Sequence, residues 1–134
     1  MELDLTTRQF RRLLDMAYIG NWILNSTRGE DRIREYDEVE SFLFTKALEE
    51  GLSALAAPGP DGVLPSRAFA EGGIHEAIMD YEDTVFFEIL AEELARRDMA
   101  QESLDQDDVD ELNARISDYI SEFERNGTDN ISLK

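Results

Sequence analysis

The strongest constraint on the fold of this chain is a repeated spacing of apolar residues by three and four positions. The spacing occurs near residues 7–24, 30–50 and 74–99, and again after the acidic cluster Asp105–Asp108. Apolar residues at such intervals line one side of an α-helix, whereas those of a half-buried strand alternate every two residues. Four amphipathic helices around a single core predict an all-α fold, most simply a four-helix bundle.

Local sequence signals place the ends of these helices. Thr6 and Gln9 form a capping-box pattern, so the first helix is expected to begin directly after Thr6. Gly51 is the expected C-terminal cap of the second helix, and Gly127 that of the fourth. The carboxylates of Asp105–Asp108 favour the start of the fourth helix because they meet the positive end of its dipole.

Two regions fall outside the helical pattern. Residues 58–73 contain all three prolines of the chain and several glycines, which predicts one long Pro/Gly-rich loop. At the ends of the chain, apolar residues alternate with polar ones, with Leu3 and Leu5 at the start and Ile131 and Leu133 near the end. These alternations are compatible with two small strands that pair.

Length and charge predict one strongly acidic domain. A chain of 134 residues with 42% apolar residues can bury one core, so residues 1–134 are expected to form a single helical domain. The net charge is -18, yet residues 1–25 are neutral, so the excess acids lie in the rest of the chain. This charge opposes binding to phosphate backbones, and neither nucleic acid nor a membrane is an expected partner.

The protein is expected to be cytoplasmic. The chain contains no cysteine, which excludes disulfides and thiolate metal or redox sites. Its N-terminal residues lack the basic and apolar pattern of a secretory signal. No apolar run approaches the ~18 residues of a membrane span.

Motifs for catalysis and for cofactors are missing. Gly72 stands three residues before the only histidine, His75, where the Glu-x-x-His pairs of carboxylate di-iron sites need a glutamate. Counted from Asp105, the ligand positions five and twelve of a calcium loop hold Val109 and Ile116. Nucleophile elbows and phosphate-binding glycine motifs are also absent. The sequence therefore predicts a non-enzymatic protein without catalytic residues or a cofactor.

A polar interruption of the first helix is the candidate functional feature. Residues 16–24 lack a polar face except for Gly20 and Asn21, which stand beside Tyr18 and Trp22. Glycine and asparagine cost stability inside a helix, so we expect a close helix crossing at Gly20 and a hydrogen-bond partner for Asn21. Core packing of Trp22, a protein interface and a ligand-lined pocket are the alternatives. Tyr18, Gly20, Asn21 and Trp22 are the candidate interface residues.

Three functional hypotheses follow from the sequence. The leading one is a protein-interaction or regulatory domain acting as a homodimer, because the apolar second halves of the first and third helices exceed what a small monomer hides easily. Alternatively, the loop covers these helices through Val63, Leu64 and Phe69. A second hypothesis is an acidic nucleic-acid mimic that binds a basic protein through the third and fourth helices. The third is a carboxylate-rich metal-binding protein that uses His75.

Several short motifs lie in the first helix, in the residues before it and in part of the third helix. They are Leu3-x-Leu5-Thr6, Phe10-x-x-Leu13-Leu14, Tyr18-x-Gly20-Asn21-Trp22, Asn25, Tyr81-Glu82-Asp83 and Leu94-Ala95-Arg96-Arg97-Asp98. The motifs at the start of the chain resemble the opening of a family of small uncharacterised bacterial proteins, and those of the third helix fit the same pattern. The resemblance implies a bacterial cytosolic origin but supplies no catalytic or binding residues.

Overall fold

A computed structural model describes residues 1–133, of which most are helical. The predicted helical class is therefore confirmed, while the bundle arrangement stays a prediction. The chain divides into two compact units, residues 1–78 and a second unit that begins at Met79. The single domain stays a prediction. Among the described residues, no helix combines the length and the apolarity of a membrane span. The elements are α1 (Thr7–Asn25), α2 (Arg34–Glu49), β1 (Ala56–Gly59), β2 (Gly62–Pro65), α3 (Arg67–Phe69), α4 (His75–Gln101) and α5 (Val109–Asn126).

The predicted helix caps are present. The Thr6 hydroxyl accepts a hydrogen bond from the Gln9 amide at 3.1 Å, and the Gln9 side chain accepts one from the Thr6 amide at 2.9 Å. Asp108 accepts a hydrogen bond from the amide of Glu111 and caps α5. These interactions satisfy amides that have no partner within the first helical turn, which is why such residues mark helix starts in a sequence.

The loop predicted for residues 58–73 is largely built of regular elements. Strands β1 and β2 pair as an antiparallel hairpin, with a two-residue turn between Gly59 and Gly62. Gly62 has a φ of +135°, and a Cβ atom there would lie 2.7 Å from the Ser41 hydroxyl oxygen, so this turn needs a residue without a side chain. Ser66 then caps the single turn α3, and the segment Ala70–Ile74, which is kinked at Gly72 and Gly73, leads into α4. The prediction of one long loop was therefore wrong.

The pairing predicted for the two ends of the chain was also wrong. Leu3, Leu5, Ile131 and Leu133 belong to no strand, and the only strands among residues 1–133 are β1 and β2. Short alternating segments gain little from pairing unless one face is buried against a core, and all four residues are exposed. Leu3 and Leu5 instead line a shallow surface groove beside Leu13 and Met16 of α1.

The first unit has a compact core to which helices and hairpin contribute. Leu14 of α1 and Phe44 of α2 are fully buried, together with Ala56 of β1 and Phe69 of α3. The Phe44 and Phe69 rings meet edge to face with their centroids 5.0 Å apart. Aromatic pairs in this geometry add to the stability gained from burial. The segment after the hairpin therefore closes the core through Phe69.

In the second unit, α4 and α5 pack through small and medium-sized side chains. Ala95, Met99 and Leu112 are buried together, and Ile116 and Tyr119 pack against them. The Phe87 ring of α4 lies 5.4 Å from the Phe123 ring of α5. This unit thus resembles a helical hairpin that buries one side of α4.

Candidate functional sites

Two buried asparagines of α1 bind the segment that leads into α2. The Asn25 side chain accepts a hydrogen bond from the Ile33 amide at 2.8 Å and donates one to the Ile33 carbonyl at 3.0 Å. It also donates to Asn21, whose own amide donates to Asp37 at 3.0 Å. The partner predicted for Asn21 is confirmed. Because Asn25 holds Ile33 in an extended conformation, α2 begins at Arg34 rather than near Glu30 as the sequence predicted.

An ion pair continues this network towards the surface. The Arg32 guanidinium donates two hydrogen bonds to the Asp37 carboxylate, at 2.6 and 2.7 Å. These bonds are the main cause of the lowered pKa of Asp37. Burial opposes them, and the hydrogen bond from Asn21 adds a smaller lowering. The positive charge of Arg32 is therefore balanced by Asp37.

A cavity of about 350 Å³ opens beside this network. Tyr18, Asn21 and Trp22 of α1 line it, and Arg32 and Glu40 contribute its charged groups. Burial raises the pKa of the Glu40 carboxyl, and the nearby Asn21 amide opposes the rise. The structure thus brings three of the four sequence-predicted residues to one cavity.

Sequence reasoning missed Glu40 and Arg32 because neither belongs to a motif. Glu40 is one of 31 acidic residues. The sequence does not distinguish it from acids that lie on the surface in contact with water. One signal was available: Asp37 and Glu40 are three residues apart, so they share a side of α2. That side of α2 could have been predicted to face the polar residues Asn21 and Asn25 of α1.

Aromatic packing surrounds the candidate residues. Tyr18 stacks on Trp22 with ring centroids 6.3 Å apart, and the Phe69 ring meets Tyr18 edge to face at 5.5 Å. The His75 ring lies edge to face with Trp22 at 4.7 Å, and its Nδ1 atom is 3.4 Å from the Tyr18 hydroxyl. Burial raises the pKa of Tyr18, and the Glu40 carboxylate raises it further. Phe69 therefore covers part of the apolar face of α1. Such coverage was the alternative to a dimer in the sequence-based prediction.

Gly20 does not mark a close helix crossing. A Cβ atom at Gly20 would meet no atom within 4 Å, so the expected close approach was wrong. The contacts of α1 with its neighbours come instead from Leu14 in the core and from Asn21 and Asn25 in the polar network. Sequence alone could not distinguish a glycine required by packing from one that is merely tolerated, because the difference depends on the neighbouring helix.

The structure gives no support to the metal hypothesis. Among residues 1–133, no three histidine or carboxylate side chains lie close enough together to hold an ion. His75 packs on Trp22 instead. In the acidic cluster, Asp105 accepts a hydrogen bond from the Asp107 amide, and Asp108 caps α5, which accounts for two of these acids by local structure.

One side of α4 carries exposed apolar residues in a helical row. Met79, Phe86 and Ile89 are each at least half exposed, and Glu82 and Glu93 continue the same row at spacings of three and four residues. These five residues are named the α4 stripe below. The helical rotation places the stripe on the opposite side of α4 from Ala91 and Ala95, which are buried.

The surroundings of the α4 stripe are acidic. From residue 79 onward the sequence has 17 acidic and five basic residues, a net charge of -12. The two arginines of α4 are already paired, Arg96 with Glu92 and Arg97 with Asp98. The stripe therefore lies in a field of negative charge that its own helix does not neutralise.

Polar contacts between α4 and α5 lie at the edge of their interface. The Tyr119 hydroxyl donates a hydrogen bond to Asp98, and this bond is the main cause of the lowered pKa of that carboxyl. Arg115 bonds Glu111 within α5 at 2.7 Å and pairs with Glu102 near the end of α4. These contacts are partly or fully exposed to solvent and leave the α4 stripe untouched.

Comparison with known proteins identifies no relative. No family model, no curated protein and no solved structure matches the chain. The family resemblance of the first helix therefore stays a prediction, as does the bacterial cytoplasmic origin that it implies.

Proposed function

We propose that the protein is a non-enzymatic interaction module whose α4 stripe binds a basic amphipathic helix of a protein partner. The observation that supports this best is the row of Met79, Phe86 and Ile89, each at least half exposed, on the side of α4 opposite the buried Ala91 and Ala95. A partner helix can pack along such a row with its own residues at the same spacing. Completing the burial of three half-exposed side chains contributes ~2–4 kcal/mol before the entropic cost of association.

The charges of the stripe favour a basic partner over a second copy of this chain. In a parallel pairing of two copies, Glu82 would face Glu82. In an antiparallel pairing with Phe86 opposite Ile89, Glu82 would face Glu93. Like charges at such positions oppose association, and the net charge of -18 adds to the repulsion between copies. Lysines or arginines flanking an apolar row would instead pair with both glutamates.

The affinity for a designed peptide tests the proposal. A fluorescently labelled helix of about five turns would carry leucines at three- and four-residue spacing flanked by lysines. A scrambled peptide of the same composition keeps the charge and loses the row. Fluorescence anisotropy should show tighter binding of the patterned peptide, with weaker binding at high salt because the carboxylates are screened.

Two matched variants locate the binding face. Phe86→Ser should raise the Kd of the patterned peptide about tenfold, since it removes a large apolar contact. Tyr81→Ser removes a side chain of similar exposure on another side of α4 and should leave the Kd within about twofold. Equal binding of both peptides, or no effect of Phe86→Ser, would contradict the proposal.

The competing occupant is a second copy, as the homodimer hypothesis requires. Light scattering of the purified protein at micromolar concentration distinguishes a second copy from a basic partner as the occupant of the α4 stripe. The proposal expects a monomer in the absence of peptide. A dimer that Phe86→Ser dissociates would identify the stripe as a self-association surface and would overturn the assignment to a basic partner.

A further inference from the structure

We propose that the cavity beside Trp22 binds a small organic ammonium ion, with the Glu40 carboxylate as its counter-ion and the Tyr18 and Trp22 rings as its walls. The cavity measures about 350 Å³, which is enough for a small ligand. All three side chains line it. The inference concerns the first compact unit and is independent of the function proposed for α4.

The balance of charges in the cavity selects a cation. The Arg32 guanidinium donates two hydrogen bonds to Asp37, so the charges of these two side chains compensate each other. Glu40 takes part in no ion pair within the described residues. The cavity is therefore left with one excess negative charge. Burial raises the pKa of Glu40 because it removes the ionised carboxylate from water, and a cation bound beside the carboxylate would oppose that rise.

The walls of the cavity favour an organic cation over a metal ion. Aromatic faces attract ammonium groups through their negative quadrupole, and Tyr18 and Trp22 are both partly accessible. A metal ion would need several ligands at one point, and no group of three histidine or carboxylate side chains that could hold one exists in residues 1–133. An anion would meet an arginine that is already paired.

The cavity is also held in place before any ligand binds. Asn21 is fixed by its bonds to Asp37 and Asn25, and Asn25 in turn binds both backbone groups of Ile33. Tyr18 is fixed between Trp22 and Phe69. A site whose side chains are already positioned loses less entropy on binding.

Trp22 provides the measurement, because it is the only tryptophan of the chain. Tetramethylammonium chloride is titrated into the protein while the fluorescence of Trp22 is recorded. Sodium chloride at equal concentration controls for ionic strength, and tert-butanol is a neutral molecule of similar size and shape. We expect a saturable change with tetramethylammonium alone, with a midpoint roughly in the millimolar range for so small a ligand.

Glu40→Gln tests the counter-ion, and Glu38→Gln is its matched control on the same helix with an exposed side chain. Glu40→Gln should raise the Kd for tetramethylammonium about tenfold, whereas Glu38→Gln should leave it within twofold. A response equal to that of tert-butanol or sodium chloride, or full affinity in Glu40→Gln, would overturn the proposal. If circular dichroism shows that Glu40→Gln is unfolded, the comparison of ligands on the unmodified protein decides by itself.

Discussion

In the first compact unit, two buried asparagines of α1 form four hydrogen bonds with each other, with Ile33 and with Asp37. The second unit places its side-chain hydrogen bonds at the edge of the α4 and α5 interface, where Tyr119 meets Asp98. A buried polar group that loses its partner costs more than an exposed one, because water cannot replace the bond. The first unit therefore uses buried polar groups to fix a geometry, and the second leaves apolar residues of one α4 face exposed.

The same contrast appears in the apolar side chains. Phe44 in the first unit is fully enclosed, whereas Phe86 in the second is half exposed. An enclosed phenylalanine stabilises the fold, whereas a half-exposed one at helical spacing can still gain burial from a partner. The following predictions compare matched residues of the two units.

Phe44→Ala should have the largest effect on stability. Removal of a fully buried ring leaves a cavity in the first core and should lower the free energy of unfolding by about 3–5 kcal/mol. Phe86→Ala should lower it by less than about 1 kcal/mol, because half of that ring is already in water. Urea denaturation followed by circular dichroism measures both. Equal losses would show that the two phenylalanines do not differ in burial as described.

Asn25→Leu should cost about 2–3 kcal/mol, because it leaves the partly buried Ile33 amide and the side-chain oxygen of the buried Asn21 without their hydrogen-bond partner. The Ile33 carbonyl loses one of its two bonds and keeps the one from the Tyr36 amide. Asn113 of α5 is exposed, and Asn113→Leu should change the stability by no more than about 0.5 kcal/mol. The fluorescence of Trp22 during urea denaturation reports the first substitution directly. A loss below about 1 kcal/mol in Asn25→Leu would contradict the role of this network.

Tyr119→Phe should cost about 1 kcal/mol at neutral pH, since it removes one hydrogen bond to a charged group. Tyr36→Phe in the first unit, where the side chain is exposed, should cost less than about 0.5 kcal/mol.

The stabilisation from Tyr119 should also depend on pH in a defined direction. The pKa of Asp98 is lower in the folded protein than in the unfolded chain. The bond therefore contributes fully above the unfolded-state pKa, and the contribution is lost as the pH falls through the folded-state pKa. The melting temperatures of the unmodified protein and of Tyr119→Phe should differ at neutral pH and converge as the pH is lowered into the acid range. A difference that stays constant would exclude Asp98 as the partner.

Gly20→Ala should have the smallest effect and the opposite sign. The added methyl group meets no atom, and alanine is the better helix former, so a gain of about 0.5–1 kcal/mol is expected. Gly127→Ala should destabilise by about 1 kcal/mol, because Gly127 ends α5 with a φ of +56°. Thermal melts compare the two. Destabilisation by Gly20→Ala would instead support the close helix crossing at Gly20 that the sequence predicted.

The sequence predicted well those features that depend on neighbouring residues. The capping box of Thr6 and Gln9, the Asp108 cap and the glycine ends of α2 and α5 all involve groups within a few positions of one another. The sequence favours such interactions directly, because the backbone holds the donor and acceptor groups close together. The helical class could therefore be predicted, and three of the four residues predicted from the sequence line the cavity beside Trp22.

Features that depend on distant residues were decided by tertiary structure. The hairpin of β1 and β2 lies against α2, where Gly62 meets Ser41, and no local pattern indicates that contact. Glu40 became a candidate binding residue only when α2 placed it beside Trp22, and Gly20 lost its expected role because no helix approaches it. By itself, the sequence determined an acidic helical protein and the ends of its helices, since local hydrogen bonds and periodicity suffice for both. Which acids are buried and which apolar faces stay open depended on packing between residues far apart in the chain.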